Sequence, residues 1–484
     1  MTLETSAKTS DAAPRNRVLR DSLLYFSSQI GARALNFFYF MILTWYLPTD
    51  EFGILNYALS IIVFLDILVD LGLSRLAMRE MAKAPEKTGE FIIRLLPYKM
   101  LVAMLLYFAL LFWVGQTQNN ATYRMIFLIS ALGIFFTSPS MLLENVMQAH
   151  HRFALISGAH VALSIVQFAV GGTILLLGGS TVAIAVVFAV TNFVYAGFML
   201  WGVRRMWPRT GWRWEGIAVL RSLPAAFPYL CSALIVLLAI RAEFLVLGRF
   251  GSPVDLGVFG MATKIMEAAL LLPLALGTVL APRFAKAHVA QGSALRDLYL
   301  SGLEVLFLVA MPAGILAYGL APVVPVLLAG RDFGQIDQVL RVLFLGYPAA
   351  CLFLFNTSLL FGAVRQRRPL MLLIVLAALQ VSINVMLQSR YGIWGAADSF
   401  VIFMALAAVV STGFIVIIYT GSTGLLRAVM APLAGIVASV SVLLFVPIAF
   451  DPAAIAVALL VYGVTAFAVR QWMPGGARQI SFQV

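Results

Sequence analysis

Charge is what this chain has least of. Only 11% of its 484 residues are charged, against roughly 25% in an ordinary soluble domain. A fold in water needs polar side chains to cover its outside, so a soluble enzyme is excluded. Cysteine is scarce too: Cys231 and Cys351 both sit inside apolar runs and read as small buried hydrophobes, not as a disulfide framework. The four histidines (His150 and His151 adjacent, His160 and His288 apart) have no ligand spacing, so no metal site is expected. No Walker-type glycine loop precedes a Lys-Ser or Lys-Thr pair, so no ATP site is expected and no cofactor is implied. The apolar runs do not alternate with polar residues, which excludes a closed β-barrel. Residues 1–20, MTLETSAKTSDAAPRNRVLR, lack the apolar core and small-residue cleavage site of a secretory signal and read as a cytoplasmic tail.

Apolar residues fill the space that charge leaves. They make up 62% of the chain, and the mean hydropathy is +0.97. At roughly 20 apolar residues per spanning helix, that is material for about a dozen or more spans. The runs place spans at about 22–47, 51–74, 95–115, 125–148, 155–178 and 181–203. A second set follows at about 224–250, 255–281, 297–320, 337–363, 369–389, 393–419, 427–449 and 452–470. The expected fold is therefore an all-α integral membrane protein of about 14 transmembrane helices. Its expected parts are a tail (1–20), a lobe of helices one to six (21–203), an interfacial linker (204–223), a lobe of helices seven to twelve (224–420), and two extra helices with a C-terminal tail (421–484).

The net charge of +12 would suit a nucleic-acid partner in a soluble protein. Here its distribution gives another reason. With the N-terminus inside, 24 of the 33 Lys and Arg fall in cytoplasmic stretches, five fall opposite, and Arg33, Lys99, Arg241 and Lys264 lie within spans. That is the positive-inside pattern of a cytoplasmic-membrane protein with both termini cytoplasmic, and no nucleic-acid partner is expected. Trp45, Trp113, Trp201, Trp394 and Trp472 fall near proposed span ends, where indoles prefer to sit. The halves also look related: EFGILNYA (Glu51 to Ala58) aligns without gaps on DLGVFGMA (Asp255 to Ala262), and Arg79 falls on Arg283 at the same offset. Such a parallel repeat predicts two lobes related by a pseudo-two-fold axis along the membrane normal, with substrate carried between them near mid-depth.

Ionisable residues inside spans need a partner or a wet cavity. From span midpoints and the helical rise of about 1.5 Å per residue, Arg33 and Arg241 sit near the midplane and Lys264 somewhat further out. Three cations at similar depth suggest a cavity for an anion. Local pairing is the competing reading, as of Lys264 with Glu267 at i,i+3. Glu243 lies about 200° around the helix from Arg241 and cannot neutralise it. Asp66 and Asp70 share a face at i,i+4. Lys99 lies at nearly the depth of Asp70, which predicts a structural pair. Asp66, Asp70, Lys99 and Glu267 are the candidates for coupling or gating. Glu144 and Glu304 lie near cytoplasmic ends and are expected to reach water, Asp398 suits a helix N-terminus, and Pro273 and Pro312 are expected to kink their helices.

Three stretches then carry a resemblance. YLPTDEFGILNYALS followed by DLGLSRLAMREMA (Tyr46 to Ala82) looks like the first helix pair of the Wzx-type lipid-linked oligosaccharide flippases. These belong to the multidrug/oligosaccharidyl-lipid/polysaccharide exporter superfamily. FPYLCSALIVLLAIRAEFLVLGRFGSPVDLGVFGMATKI (Phe227 to Ile265) is similar to that family's helices seven and eight, and INVMLQSRYGIWGAADS (Ile383 to Ser399) to a late helix start. The resemblance implies a non-enzymatic flippase that exports an undecaprenyl-pyrophosphate-linked sugar repeat for polysaccharide biosynthesis. It implies two six-helix lobes around a cationic cavity, with membrane lipids and a polysaccharide polymerase or assembly proteins as further partners. A pyrophosphate suits the guanidinium forks of Arg33 and Arg241.

Two other readings stay open at this point. A drug/cation antiporter of the same superfamily would use deep acids such as Asp66 and Asp70, and a non-transporting anchor of an assembly complex would need no cavity chemistry. A lipid-linked-sugar transferase is disfavoured, because LPTDEF (Leu47 to Phe52) leaves almost no room for a catalytic outer loop.

The charge split generates a topology prediction. A cysteine introduced at Gln118 should be labelled by an impermeant reagent from outside, and one at Gly421 only from inside. Outside labelling of Gly421 would overturn the fourteen-helix arrangement.

Overall fold

Apolar runs of this length can satisfy their backbone groups in hydrocarbon only by coiling, and the described residues are built of helices. The computed structural model describes residues 28, 31–204, 216–271, 294–327, 333–362, 367–420 and 452–472, with residues 273, 274, 276, 277, 280, 283, 284 and 287 between them. The expected tail (1–20), span 427–449 and most of the Arg204–Arg221 loop lie outside the described residues. Nine helical runs among the described residues are long and apolar enough to cross a membrane.

The first compact unit is Met1–Leu237. It contains α1 (residues 31–46), α2 (Thr49–Asp70), α3 (Leu73–Lys83), α4 (Thr88–Thr117), α5 (Ala121–Ala131), α6 (Ile134–Ala149), α7 (Phe153–Leu176), α8 (Thr181–Val203) and the first part of α9 (Gly216–Phe250). The second unit, Leu238–Val484, takes the end of α9. It continues with α10 (Pro253–Ala269), α11 (Ala294–Leu320), α12 (Ile336–Gly362), α13 (Arg367–Ile415) and α14 (Pro452–Trp472). At about 1.5 Å per residue, the 49 residues of α13 are more than twice as long as the ~30 Å of a hydrocarbon core. Gly392, at φ 53 and ψ −126, breaks that run into two spans.

Chain order repeats between the units. The starts of α2 (Thr49) and α10 (Pro253) are 204 positions apart, as are the ends of α1 (residue 46) and α9 (Phe250). Two glycines at positive φ mark corresponding turns: Gly178 between α7 and α8, and Gly392 within α13. Each unit thus spends a left-handed residue, cheap only for glycine, at the same place in its helix order.

Polar contacts gather the helix ends of unit 1 at two levels. At one end the acids in the first turn of α2 reach neighbours: Tyr123 Oη donates to Asp50 Oδ2 at 2.6 Å, and Thr181 Oγ1 donates to Glu51 Oε2. At the other end Thr88 of α4 meets His150 Nε2 at 2.8 Å, and Arg152 Nη1 donates to the Gly202 carbonyl at 3.2 Å. Antiparallel crossings require this sorting. Between the two levels the unit is apolar outward: Leu101, Leu105, Phe108 and Phe112 form an exposed stripe on α4, the face that suits lipid tails.

Several boundaries differ from expectation for identifiable reasons. The second span stops at Asp70 and not at 74, because Leu71 (φ 47) and Gly72 (φ 78) turn left-handed before α3 restarts. The fourth span begins early at Ala121, where the Asn120 side chain accepts from Thr122 N at 2.9 Å and caps the helix. Ser252 and Asp255 form a reciprocal capping box with Pro253 in the first turn, so α10 starts slightly before the expected 255. Helix α9 begins at Gly216 and runs through Pro224 and Pro228, so residues 216–223 of the expected linker are helical.

Gly72 carries a constraint beyond its dihedral. A Cβ there would meet the Ala226 carbonyl oxygen and the Leu230 amide nitrogen at 2.6 Å each, and backbone cannot step aside as a side chain can. Gly72→Ala should therefore cost about 1–3 kcal/mol or more, read as a lower thermal midpoint and a lower yield of monodisperse protein in detergent. Gly31→Ala, where nothing lies within 4 Å, should leave both unchanged.

Candidate functional site

Unit 1 holds a sealed ion pair. Lys99 and Asp70 are both buried, and Lys99 Nζ lies 2.6 Å from Asp70 Oδ1. Helix α6 completes the ammonium's shell: Nζ also donates to the Ser138 carbonyl at 3.1 Å and to Ser138 Oγ at 3.4 Å. Asp70 Oδ1 in turn accepts from the Ser74 amide at 3.3 Å and from the Ser74 hydroxyl. The left-handed step at Leu71 and Gly72 brings Ser74 back beside the carboxylate at the end of α2. Each charge is met by further hydrogen bonds, the condition under which a buried pair is tolerated. Asp66, one turn earlier on α2, accepts from Thr137 Oγ1 at 2.7 Å.

A second cluster joins three helices of the same unit. Tyr195 Oη on α8 donates to Glu144 Oε2 on α6 at 3.1 Å and lies 2.8 Å from His160 Nε2 on α7. The His160 and Tyr195 rings stack at 5.3 Å, and Gln148 Nε2 donates to Glu144 Oε1 at 3.2 Å. This corrects one expectation: Glu144 does not simply reach water, because His160 and Tyr195, on two later helices, return to it. Arg33 on α1 is exposed.

Unit 2 holds two partly exposed cations that share one counter-ion. Arg241 Nη2 on α9 lies 3.0 Å from Glu267 Oε1, and Lys264 Nζ, one turn before Glu267 on α10, lies 3.3 Å from Glu267 Oε2. One carboxylate thus bridges two cations on two helices, with a separate oxygen for each. The local Lys264–Glu267 pair is present as the i,i+3 spacing predicts. The counter-ion of Arg241 comes from the neighbouring helix, where no spacing rule along α9 could find it.

A further acid, Glu243 on α9, is buried in side-chain amides. Gln380 Nε2 donates to Glu243 Oε1 at 3.1 Å, and Gln388 Nε2 donates to the Glu243 carbonyl at 3.1 Å. Asn384 Oδ1 accepts from Gln388 Nε2 at 2.6 Å and from Ser399 Oγ at 2.8 Å. Gln380, Asn384 and Gln388 recur every four residues on the first span of α13, so they share one face. That periodic stripe in an apolar helix was the available signal for this network. Among the described residues no group of three or more His, Cys, Asp or Glu is arranged to hold a metal ion.

The comparisons with known proteins agree with the architecture. Residues 18–288 match the model of a family described as polysaccharide biosynthesis protein. No curated protein matches by sequence. Among solved structures, the chain is similar to the lipid II flippase MurJ in an inward closed conformation. The TM-score is 0.72 at 12% identity, covering 92% of this chain and 98% of that one. It is also similar to an inward-facing multidrug resistance MATE family transporter of the MOP superfamily, at TM-score 0.62 and 15% identity, with 81% of this chain and 96% of that one covered. A eukaryotic MATE transporter gives 0.61 at 13% identity, covering 86% and 99%. At such identities the likeness shows a shared membrane-transporter fold.

The sealed pair generates a stability prediction. Asp70→Asn or Lys99→Met alone leaves one buried charge without its partner, at a cost of about 3–5 kcal/mol. Each should therefore lower the amount of folded protein in the membrane. Exchanging the two, Asp70→Lys with Lys99→Asp, should restore part of it. Single variants that accumulate normally but fail in transport would make the pair functional.

Proposed function

From the premise that the chain belongs to the polysaccharide biosynthesis protein family, we propose that it is a flippase. Its cargo is an undecaprenyl-pyrophosphate-linked oligosaccharide repeat unit, moved from the inner to the outer leaflet of the cytoplasmic membrane by alternating access. The observation that carries this reading is the convergence of Arg241 and Lys264 on one carboxylate. Two cations held within the width of an oxyanion, deep in an apolar chain, are expensive unless an anion uses them. A pyrophosphate offers several oxygens to such a pair, and the guanidinium can take two of them at once.

Arg33 is the third candidate in this reading. Its side chain is exposed near the start of the described α1, and a guanidinium there needs water or an anion rather than lipid tails. The antiporter alternative would need free deep acids in the first unit. Asp70 there is occupied by Lys99 and Ser74, and Asp66 is bonded to Thr137. The family and the fold neighbours carry no catalytic requirement, and the chain needs none: the sugar-lipid leaves as it entered. Polysaccharide polymerase or assembly proteins belong to this proposal as partners, as do cytoplasmic termini.

The test uses proteoliposomes loaded with a polyprenyl-pyrophosphate-linked oligosaccharide whose sugar becomes accessible to an external lectin on flipping. Arg241→Ala removes one charge-assisted contact, about 1.5–3 kcal/mol, and should lower the rate roughly ten- to hundredfold at normal protein levels. Arg241→Lys keeps the charge but loses the fork and should retain part of the activity. An Ala variant that flips at the normal rate would move Arg241 to a structural role and leave Arg33 and Lys264 as candidates.

A further inference from the structure

We propose that Glu267 is a tethered internal anion that selects the cargo by charge: it occupies the Arg241–Lys264 pair between transport cycles and yields only to a headgroup carrying more than one negative charge. The proposal rests on the reading above that this pair receives phosphate.

The geometry distinguishes this cluster from a structural pin. In the Lys99–Asp70 pair the side chains are 0% and 5% exposed, sealed from any competitor. In the Arg241–Glu267–Lys264 cluster they are 20%, 29% and 14% exposed; Glu267 Oε1 itself is covered, so an incoming anion reaches the cations as the carboxylate swings away. Glu267 presents one oxygen to each cation, as two oxygens of a phosphate would. Exchange of carboxylate for phosphate therefore changes no cation position and breaks no covalent bond.

The selection follows from counting charges. A bilayer is full of glycerophospholipid headgroups, which are phosphodiester monoanions. A bare pair of cations in a transport cavity would be occupied by them continuously. With Glu267 in place, a monoanion that displaces the carboxylate restores only the charge it removed. It also competes with a group held at high effective concentration by its own helix. A pyrophosphate diester brings two negative charges and gains attraction that the carboxylate cannot match. The tethered acid thus acts against the wrong ligand more than for the right one, the usual route to specificity when the competitor is abundant.

The experiment measures binding of a short-chain polyprenyl pyrophosphate to the full-length protein in nanodiscs. One set is made of phosphatidylcholine, the other contains phosphatidylglycerol. Wild type should bind in both, with little loss to phosphatidylglycerol. Glu267→Gln should bind more tightly in phosphatidylcholine, by roughly an order of magnitude, and lose that gain in phosphatidylglycerol. Flipping by this variant should show a lower apparent KM and a lower kcat, because release now lacks its internal competitor. Glu267→Asp, which keeps the charge but spans the two cations less well, should lie between. Weaker or unchanged binding by Glu267→Gln, with phosphatidylglycerol sensitivity unaltered, would overturn the proposal while leaving the flippase reading intact. Failure of both Glu267 variants to accumulate would also overturn it, making the acid a pin between α9 and α10. Absence of pyrophosphate binding by wild type and Arg241→Lys alike would remove the flippase reading itself, and this proposal with it.

Discussion

Hydrocarbon offers a buried ion no partner, so every charge placed inside a span must find its counterpart in the protein or in trapped water. The rest of this structure follows from that constraint. It explains why helices are the only element among the described residues, and why many of the buried polar side chains gather in sets. Lys99, Asp70, Ser74 and Ser138 make one set; Glu144, His160, Tyr195 and Gln148 make another; Glu243 with its amides makes a third. The apolar surface that a soluble protein would hide is turned outward, as on α4.

The same constraint separates structural charges from working ones. A pair that only holds helices together is best sealed, since exposure to competing anions or water weakens it. Lys99 and Asp70 are sealed. A group that must exchange partners has to be reachable, and must then carry a resident partner for the intervals when no ligand is bound. Arg241 and Lys264 with Glu267 have that form. Burial and pairing together, rather than charge alone, are what separate the Lys99–Asp70 pair from the Arg241–Glu267–Lys264 cluster.

Helix breaks position these groups. The left-handed pair Leu71 and Gly72 ends α2 so that Ser74 caps Asp70, and Gly72 lets the α9 backbone approach where a Cβ would collide. Gly392 divides α13 so that Ser399, on its second span, can bond Asn384 on its first. The helix order around such breaks recurs in the two halves of the chain. A duplicated bundle can thus keep one architecture while its halves carry different ions: acids with a lysine in unit 1, and two cations around an acid in unit 2.

What the sequence determined by itself was whatever depends on local pattern. The scarcity of charge and the length of the apolar runs specified a multi-span helical membrane protein. The offset between EFGILNYA and DLGVFGMA anticipated matching helix starts at Thr49 and Pro253, and the i,i+3 spacing anticipated Lys264 with Glu267. Similar depth on adjacent spans was enough to pair Asp70 with Lys99. Contacts that depend on how helices rotate about their axes had no such signal. The ion pair of Glu267 with Arg241, the meeting of Glu144 with His160 and Tyr195, and the amide shell of Glu243 each join residues whose separation along the chain has no fixed relation to distance in space. Periodicity fixes which residues share a face of one helix. Only packing decides which face meets which neighbour, because in lipid that choice is made by the few polar and small side chains that must find one another.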